Sequence, residues 1–254
     1  MTNANLALSR GLMSHDGAGQ EVGWIGACSK SGCRGWNEDC CDYSASEDGR
    51  VANVAISDGI GGGSYGRAIS RLACTTGLAA LDEGASPHDA FLQARDEVRF
   101  FLRESRAKRS GATLVLARID NGLLSIAWQG DTSCFILRNG RLEEVTATDN
   151  VPGTNRLSLY VGQEGRREPH CVLIPIREND AIFFFTDGVP PSCVSAAIMD
   201  NLIDGRCAQV MAEDVAQNAA QKSLDDVTVL VAVPSTTQRI SHNDTEGKPC
   251  LQMP

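Results

Sequence analysis

The chain has 254 residues, 42% of them hydrophobic and 22% charged, a length that buries a substantial core in one large domain. Its formal charge of −9 argues against a general nucleic-acid binder, which needs basic surface to meet phosphate backbones. Its ten cysteines form no CxxC pair and no apolar run approaches about 18 residues, so zinc ribbons, thioredoxin-like motifs and membrane-spanning helices are not expected.

Irregularly spaced cysteines and the lack of a basic-then-apolar leader fit reduced thiols in a cytoplasmic protein. Residues 1–20 mix small and polar types without a period and read as a flexible tail. Val22–Ser29 reads as a strand, residues 31–37 as a turn-rich loop, and Cys40–Ser44 as a second strand. Asp48-Gly49 signals a two-residue hairpin into the apolar run Val51–Ile56. That run is short, rich in β-branched residues and bounded by glycine, and it ends on Asp58 followed by glycines at 59, 61, 62, 63 and 66. A strand that delivers an acid onto a glycine-lined turn points to a cation there.

Apolar residues at Ile69, Leu72, Ala73, Ala80 and Leu81 give a helical face over Ser64–Glu83. Ser86-Pro87-His88-Asp89 opens a second helix with a cap, a first-position proline and an acid three residues on. Its end is strongly basic (Arg99, Arg103, Arg106, Lys108, Arg109), which suits either a solvated helix C-terminus or a partner site. Four short strands follow over Thr113–Ile119, Leu123–Trp128, Cys134–Leu137 and Leu142–Val145, with Asn121-Gly122 and Asn139-Gly140 as hairpin turns. Residues 146–169 are irregular. Strands at Cys171–Ile176 and Ala181–Phe185 lead to Asp187-Gly188, short helices at Ser192–Leu202 and Cys207–Gln221, and a last strand at Val227–Val233 after Asp225-Asp226. The expected organisation is one domain over 21–234 with a polar tail over 235–254.

Asp58, Asp131 and Asp187 each stand at or beside a strand end, and Glu38-Asp39 and Asp225-Asp226 sit just before two more strands. One such acid is usually a turn former or cap. Five sites in one domain are different, because clustered carboxylates repel unless cations neutralise them. Oxygen-only ligation favours Mn²⁺ or Mg²⁺, and two such ions roughly 3.5–4 Å apart activate water and hold a phosphoryl oxygen. Arg34 lies in the same loop as Glu38, and its guanidinium matches phosphate with paired donors.

Arg34-Gly-Trp-Asn-Glu-Asp39, Ser57-Asp-Gly-Ile-Gly-Gly62, Gly130-Asp-Thr132, Thr186-Asp-Gly188 and Asp225-Asp-Val-Thr228 resemble, in order, the motifs of the metal-dependent type 2C (PPM-type) serine/threonine protein phosphatases, in a bacterial-like form. The resemblance covers about residues 22–233. It implies an α+β fold, a four-layer α-β-β-α sandwich of two antiparallel sheets flanked by helix pairs, with two Mn²⁺ or Mg²⁺ ions at one end and a third, weaker one. It also implies hydrolysis of phosphoserine or phosphothreonine by a water held between the metals. Asp58 would bridge both ions and Gly59 would ligate one through its carbonyl. Asp187 and Asp225 would complete the other shell, Glu38 and Asp39 would act mainly through water, Asp131 would hold the third ion and Arg34 the phosphate. The partner would be a phosphorylated protein, the substrate of a cognate kinase, met by a cytoplasmic monomer without nucleic acid or membrane. Ile60 and Asn150 depart from the pattern where many members carry histidine, Asp226 replaces an asparagine and Arg67 a glutamate.

Three other readings compete with this one. Gly61, Gly63 and Gly66 fit the dinucleotide pattern G-x-G-x-x-G, but that unit returns to a parallel strand, and Asp58 would oppose a pyrophosphate. A pseudophosphatase would keep the fold as a phosphoprotein-binding module. The metals could also be purely structural.

Overall fold

Strands form where apolar residues alternate with period two, and here both faces of that alternation are covered. The computed structural model describes residues 9–11, 23–60, 64–107, 110–165, 167–190, 192–193 and 207–234. Its strands are β1 (Ser9–Gly11), β2 (Ile25–Lys30), β3 (Cys40–Ala45), β4 (Val51–Ser57), β5 (Gly59–Ile60), β6 (Gly111–Ala112) and β7 (Leu114–Asp120). They continue as β8 (Leu123–Gln129), β9 (Ser133–Arg138), β10 (Arg141–Glu144), β11 (His170–Pro175), β12 (Ala181–Phe185) and β13 (Val227–Ala232). The helices are α1 (Ser64–Asp82), α2 (Pro87–Ser105) and α3 (Ala208–Ala220).

One sheet runs β1-β3-β4-β7-β8-β11, the other β10-β9-β12-β13-β2, and β5 pairs with β6. In β4, Ala52, Val54 and Ile56 point between the sheets while Ala55 points to α1 and α2. In β12, Ile182 and Phe184 enter the same central layer, and Ala181, Phe183 and Phe185 pack with Met211, Val215 and Ala219 of α3. Each fully buried phenylalanine contributes about 1.5–3 kcal/mol. The result is the α+β sandwich expected, with helices over both outer faces. A second helix over the β12 sheet was expected at 192–202; apart from 192–193 it lies outside the described residues, as does the 235–254 tail.

Local chemistry explains the connections. Asn121-Gly122 and Asn139-Gly140 turn with all four φ values positive, between 47° and 83°, the geometry of two-residue hairpins whose twist matches the strands. Asp48-Gly49 does not. Ser46 N–H bonds Val51 O at 2.8 Å, and Ser46 Oγ accepts Val51 N–H at 3.0 Å and donates to Asp48 at 2.6 Å. The serine thus closes a four-residue loop in place of the expected two-residue turn. Ser86 caps α2, accepting Asp89 N–H at 3.1 Å with Pro87 in the first turn. Ser9–Gly11, within the segment expected to be an irregular tail, pairs with Tyr43–Ala45 as an edge strand. Three residues are too few to show a period.

All strand pairings between named elements are antiparallel, and α1 leads into α2 before β7 returns antiparallel to β4. The dinucleotide unit is thereby excluded, since it requires a parallel return. None of the described cysteines is in a disulfide, and among the described residues no helix is long and apolar enough to cross a membrane.

Candidate active site

The register carries the acids to one end of the sandwich. Cys40 pairs with Ser57, Ile56 with Val115, and Leu114 with Gln129 in one sheet. Ser133 pairs with Phe185, Phe185 with Val229, and Val227 with Lys30 in the other. These pairs all mark the same edge of strand ends. Asp39, Asp58, Asp131, Asp187 and Asp225 each lie one or two residues beyond them, so sequence-distant acids meet because antiparallel strands end together.

Each acid sits on a fixed backbone. Asp58 N–H bonds Thr113 Oγ1 at 2.8 Å and Thr113 N–H returns to Asp58 O at 2.9 Å, while Thr113 and Thr132 share a hydroxyl bond of 2.6 Å. Gly59 N–H reaches Glu38 O at 3.1 Å. A Cβ on Gly59 would come within 2.4 Å of the Gly66 carbonyl group, so β5 meets α1 backbone to backbone and only glycine fits. Asp39 is buried and accepts Thr186 Oγ1–H at 2.7 Å. Gly130, at φ 108°, presents Asp131, and Asp149 accepts Gly130 N–H at 2.9 Å and bonds His170 at 2.8 Å.

The loop that carries Arg34 is pinned from the far end of the chain. Asp226 accepts the amides of Gly32 and Glu38, both at 2.8 Å. Arg34 then donates to Glu38 at 3.1 Å and to Asp225. The sequence reading noted Asp226 only as a replacement for asparagine. Its signal was there: adjacent residues entering a strand point to opposite sides, so Asp225 and Asp226 cannot both face one pocket. Thr113 and Asp149 were missed as supports because hydroxyls and turn acids are common at strand ends.

The electrostatics show how closely the acids gather. Burial pushes Asp58 well above the usual carboxylate range, and Asp39, Asp187, Asp131 and Asp225 push it further. Burial, with Asp226 and Asp187, raises Asp39 to about 7 against bonds from Thr228 and Thr186 that pull it down. Asp187 rises to about 6 through burial, Asp131 and Asp225, with Arg34 opposing. Asp131 is raised by burial and by Asp149, and a bond from Asn150 works the other way. Burial disfavours the charge on Arg34, but Asp225, Asp226 and Glu38 outweigh it and hold the guanidinium above its ordinary value. Such a set, all oxygen donors and each raising its neighbours, suits a hard divalent cation. Among the described residues no three His, Cys, Asp or Glu side chains close into a single ligand set.

The comparisons with known proteins bear on the fold and the family. Residues 33–227 match the family model described as protein phosphatase 2C. None of the curated protein sequences compared matches the chain. Among solved structures, PppA, described as a key regulatory component of T6SS in Pseudomonas aeruginosa, is 22% identical with a TM-score of 0.70, covering 83% of this chain and 97% of its own. The catalytic domain of the serine/threonine phosphatase PstP, solved with two manganese ions, is 22% identical with a TM-score of 0.68, covering 82% and 96%. The PPM Ser-Thr phosphatase MsPP from Mycobacterium smegmatis, in complex with cacodylate, is 20% identical with a TM-score of 0.68, covering 83% and 98%. These likenesses bear on the fold, whereas the family model spans most of the sequence and all five acidic strand ends. This chain belongs to the protein phosphatase 2C family.

Proposed function

We propose that the chain is a protein-serine/threonine phosphatase dependent on Mn²⁺ or Mg²⁺, acting on a phosphorylated protein in the cytoplasm. The observation that carries this reading is the strand register, which ends five separate segments at one edge and sets Asp58 among Asp39, Asp131, Asp187 and Asp225. Asp58, the Gly59 carbonyl, Asp187 and Asp225 are the groups that would hold two ions, with Glu38 and Asp39 behind them and Asp131 beside a third. Bound there, divalent ions would activate a water and offset charge on the phosphoryl oxygens.

The chain's own residues supply orientation. Arg34 presents paired donors to the phosphate. Its present partners, Glu38 and Asp225, hold the exposed guanidinium at the rim of the acid cluster. Asp226 fixes the loop beneath it, and Thr113 fixes the backbone of Asp58, so neither group needs to be ordered when substrate arrives. Solved relatives named as serine/threonine phosphatases, one with two manganese ions, support the same chemistry.

The test is turnover of p-nitrophenyl phosphate and of a phosphoserine peptide with and without Mn²⁺, in wild type and Asp58→Asn, alongside calorimetric Mn²⁺ binding. Metal-dependent turnover lost in Asp58→Asn is expected. A chain that binds Mn²⁺ and phosphopeptide but releases no phosphate would instead be a binding module of this fold.

A further inference from the structure

A second basic feature stands apart from Arg34. The end of α2 and the 160–165 segment line an open cleft of about 1020 Å³, bordered by Arg99, Arg103, Arg106, Ser110, Tyr160 and Glu164 among others. Arg99 builds its wall, donating to Gln163 O at 3.0 Å and to Gly165 O. Arg103 and Arg106 are exposed, and among the described residues neither side chain makes a hydrogen bond or ion pair, not even with Glu164 in the same cleft.

A helix C-terminus attracts basic residues through its dipole, which accounts for Arg103 in the last turn. The dipole favours the charge of Arg106 as well, but not its backbone conformation. That residue caps the helix at φ 53°, in the left-handed region where glycine is favoured and a side chain is strained. An arginine at a position where glycine would be easier, beside a second arginine with no partner among the described residues, in a protein of net charge −9, marks a place for an anion.

The cleft also connects to the acid cluster. Ser110 lines it, Gly111–Ala112 pairs with Gly59–Ile60, and Thr113 holds Asp58. Two extended residues separate Ser110 from Thr113, and the three steps between them span about 10 Å of chain. We propose that this cleft is an anion subsite, taking a carboxylate or a second phosphate of the same phosphoprotein whose phosphoserine or phosphothreonine is hydrolysed beside Asp58. It rests on the proposed function and specifies its substrate as a phosphorylated segment with a second acidic group a few residues away.

The experiment measures binding by fluorescence anisotropy, using phosphoserine peptides with Glu, phosphoserine or Gln at about three positions from the first phosphate. The full chain is compared with Arg103→Gln/Arg106→Gly. Wild type should prefer the Glu or diphosphorylated peptide to the Gln peptide by about tenfold, and the variant should bind all three alike. A stronger preference in the diphosphorylated arm assigns a phosphate, and equal preference assigns any anion. Because Arg106→Gly relieves a left-handed residue, its melting temperature should not fall; should it fall, Arg103→Gln alone, at an exposed helical position, carries the comparison. No preference in wild type, or one that survives in the variants, overturns the subsite. p-Nitrophenyl phosphate is too small to reach both places, so its Mn²⁺-dependent turnover should be unchanged in the variant. If wild type fails to turn it over while the peptide preference stands, the phosphatase reading fails and the anion site does not.

Discussion

The carboxylate of Asp226 accepts the backbone N–H of Glu38 at 2.8 Å across 188 residues of sequence. Its other oxygen accepts Gly32 N–H, so one side chain at the entry to β13 sets the path of the loop that presents Arg34. Asp226→Ala leaves two amides without their acceptor and is expected to cost about 2 kcal/mol in urea unfolding. Asp226→Asn keeps one acceptor oxygen and should cost less. In both variants KM should rise more than kcat falls, since the loop proposed to orient phosphate is loosened; an unchanged KM would show that the loop is held by something else.

Arg34 pairs with Glu38 and Asp225, and the proposed function asks it also to meet phosphate. Arg34→Lys keeps the charge but loses the paired donors, and kcat/KM should fall about a hundredfold. Mn²⁺ affinity by calorimetry should hold or rise, because a cation competing for Asp225 has been weakened. A loss of Mn²⁺ affinity would contradict the role given to this arginine.

Stability should depend on pH in an unusual direction. Asp39 and Asp187 take up protons at about 7 and about 6 in the fold, against 3.8 for ordinary aspartate, and Asp58 is also raised. Between about pH 4 and pH 7 the folded chain therefore binds more protons than the unfolded one, so these groups lower stability as pH rises through that window. The metal-free protein should lose several degrees of melting temperature, about 5 °C, over the range. Mn²⁺ should restore it, with a larger gain near neutral pH than under acid conditions where protons compete. A metal-free melting temperature that climbs from pH 4 to 7 would contradict the clustering.

Gly59 and Gly66 cross without room for a methyl group. Gly59→Ala must displace either α1 or the Asp58 turn, at a cost of about 2–3 kcal/mol. Reduced Mn²⁺ affinity should accompany the lower stability. Gly35 has nothing within 4 Å of the place a Cβ would take, but its φ of 79° makes alanine strained there, so Gly35→Ala should lose some stability while leaving the Asp58 side intact.

The sandwich was legible because its strands are short and their ends are punctuated: Asn-Gly at two hairpins, Ser-Pro at α2, and an acid after each of several apolar runs. The acids were legible as a set, and the register explains why. What the sequence could not show is which of two neighbouring acids faces the pocket. Asp225 and Asp226 differ only in the side of the chain they take, and that is decided by partners such as Gly32 and Glu38 far away in sequence. Asp48-Gly49 misled for a similar reason, since Ser46 closes the loop with its side chain. The edge strand at Ser9–Gly11 exists only through its pairing with β3, which no local pattern announces.

Asp58, Asp187 and Asp225 are together expected to make a divalent-cation site that serves phosphate hydrolysis. Calorimetric titration of Mn²⁺ into wild type, Asp58→Asn and Asp187→Asn tests it most directly, with phosphopeptide turnover followed on the same samples. The account expects saturable binding in wild type, weakened about tenfold or more in each variant, with turnover lost in step. Mn²⁺ binding that is identical in wild type and Asp58→Asn would contradict it.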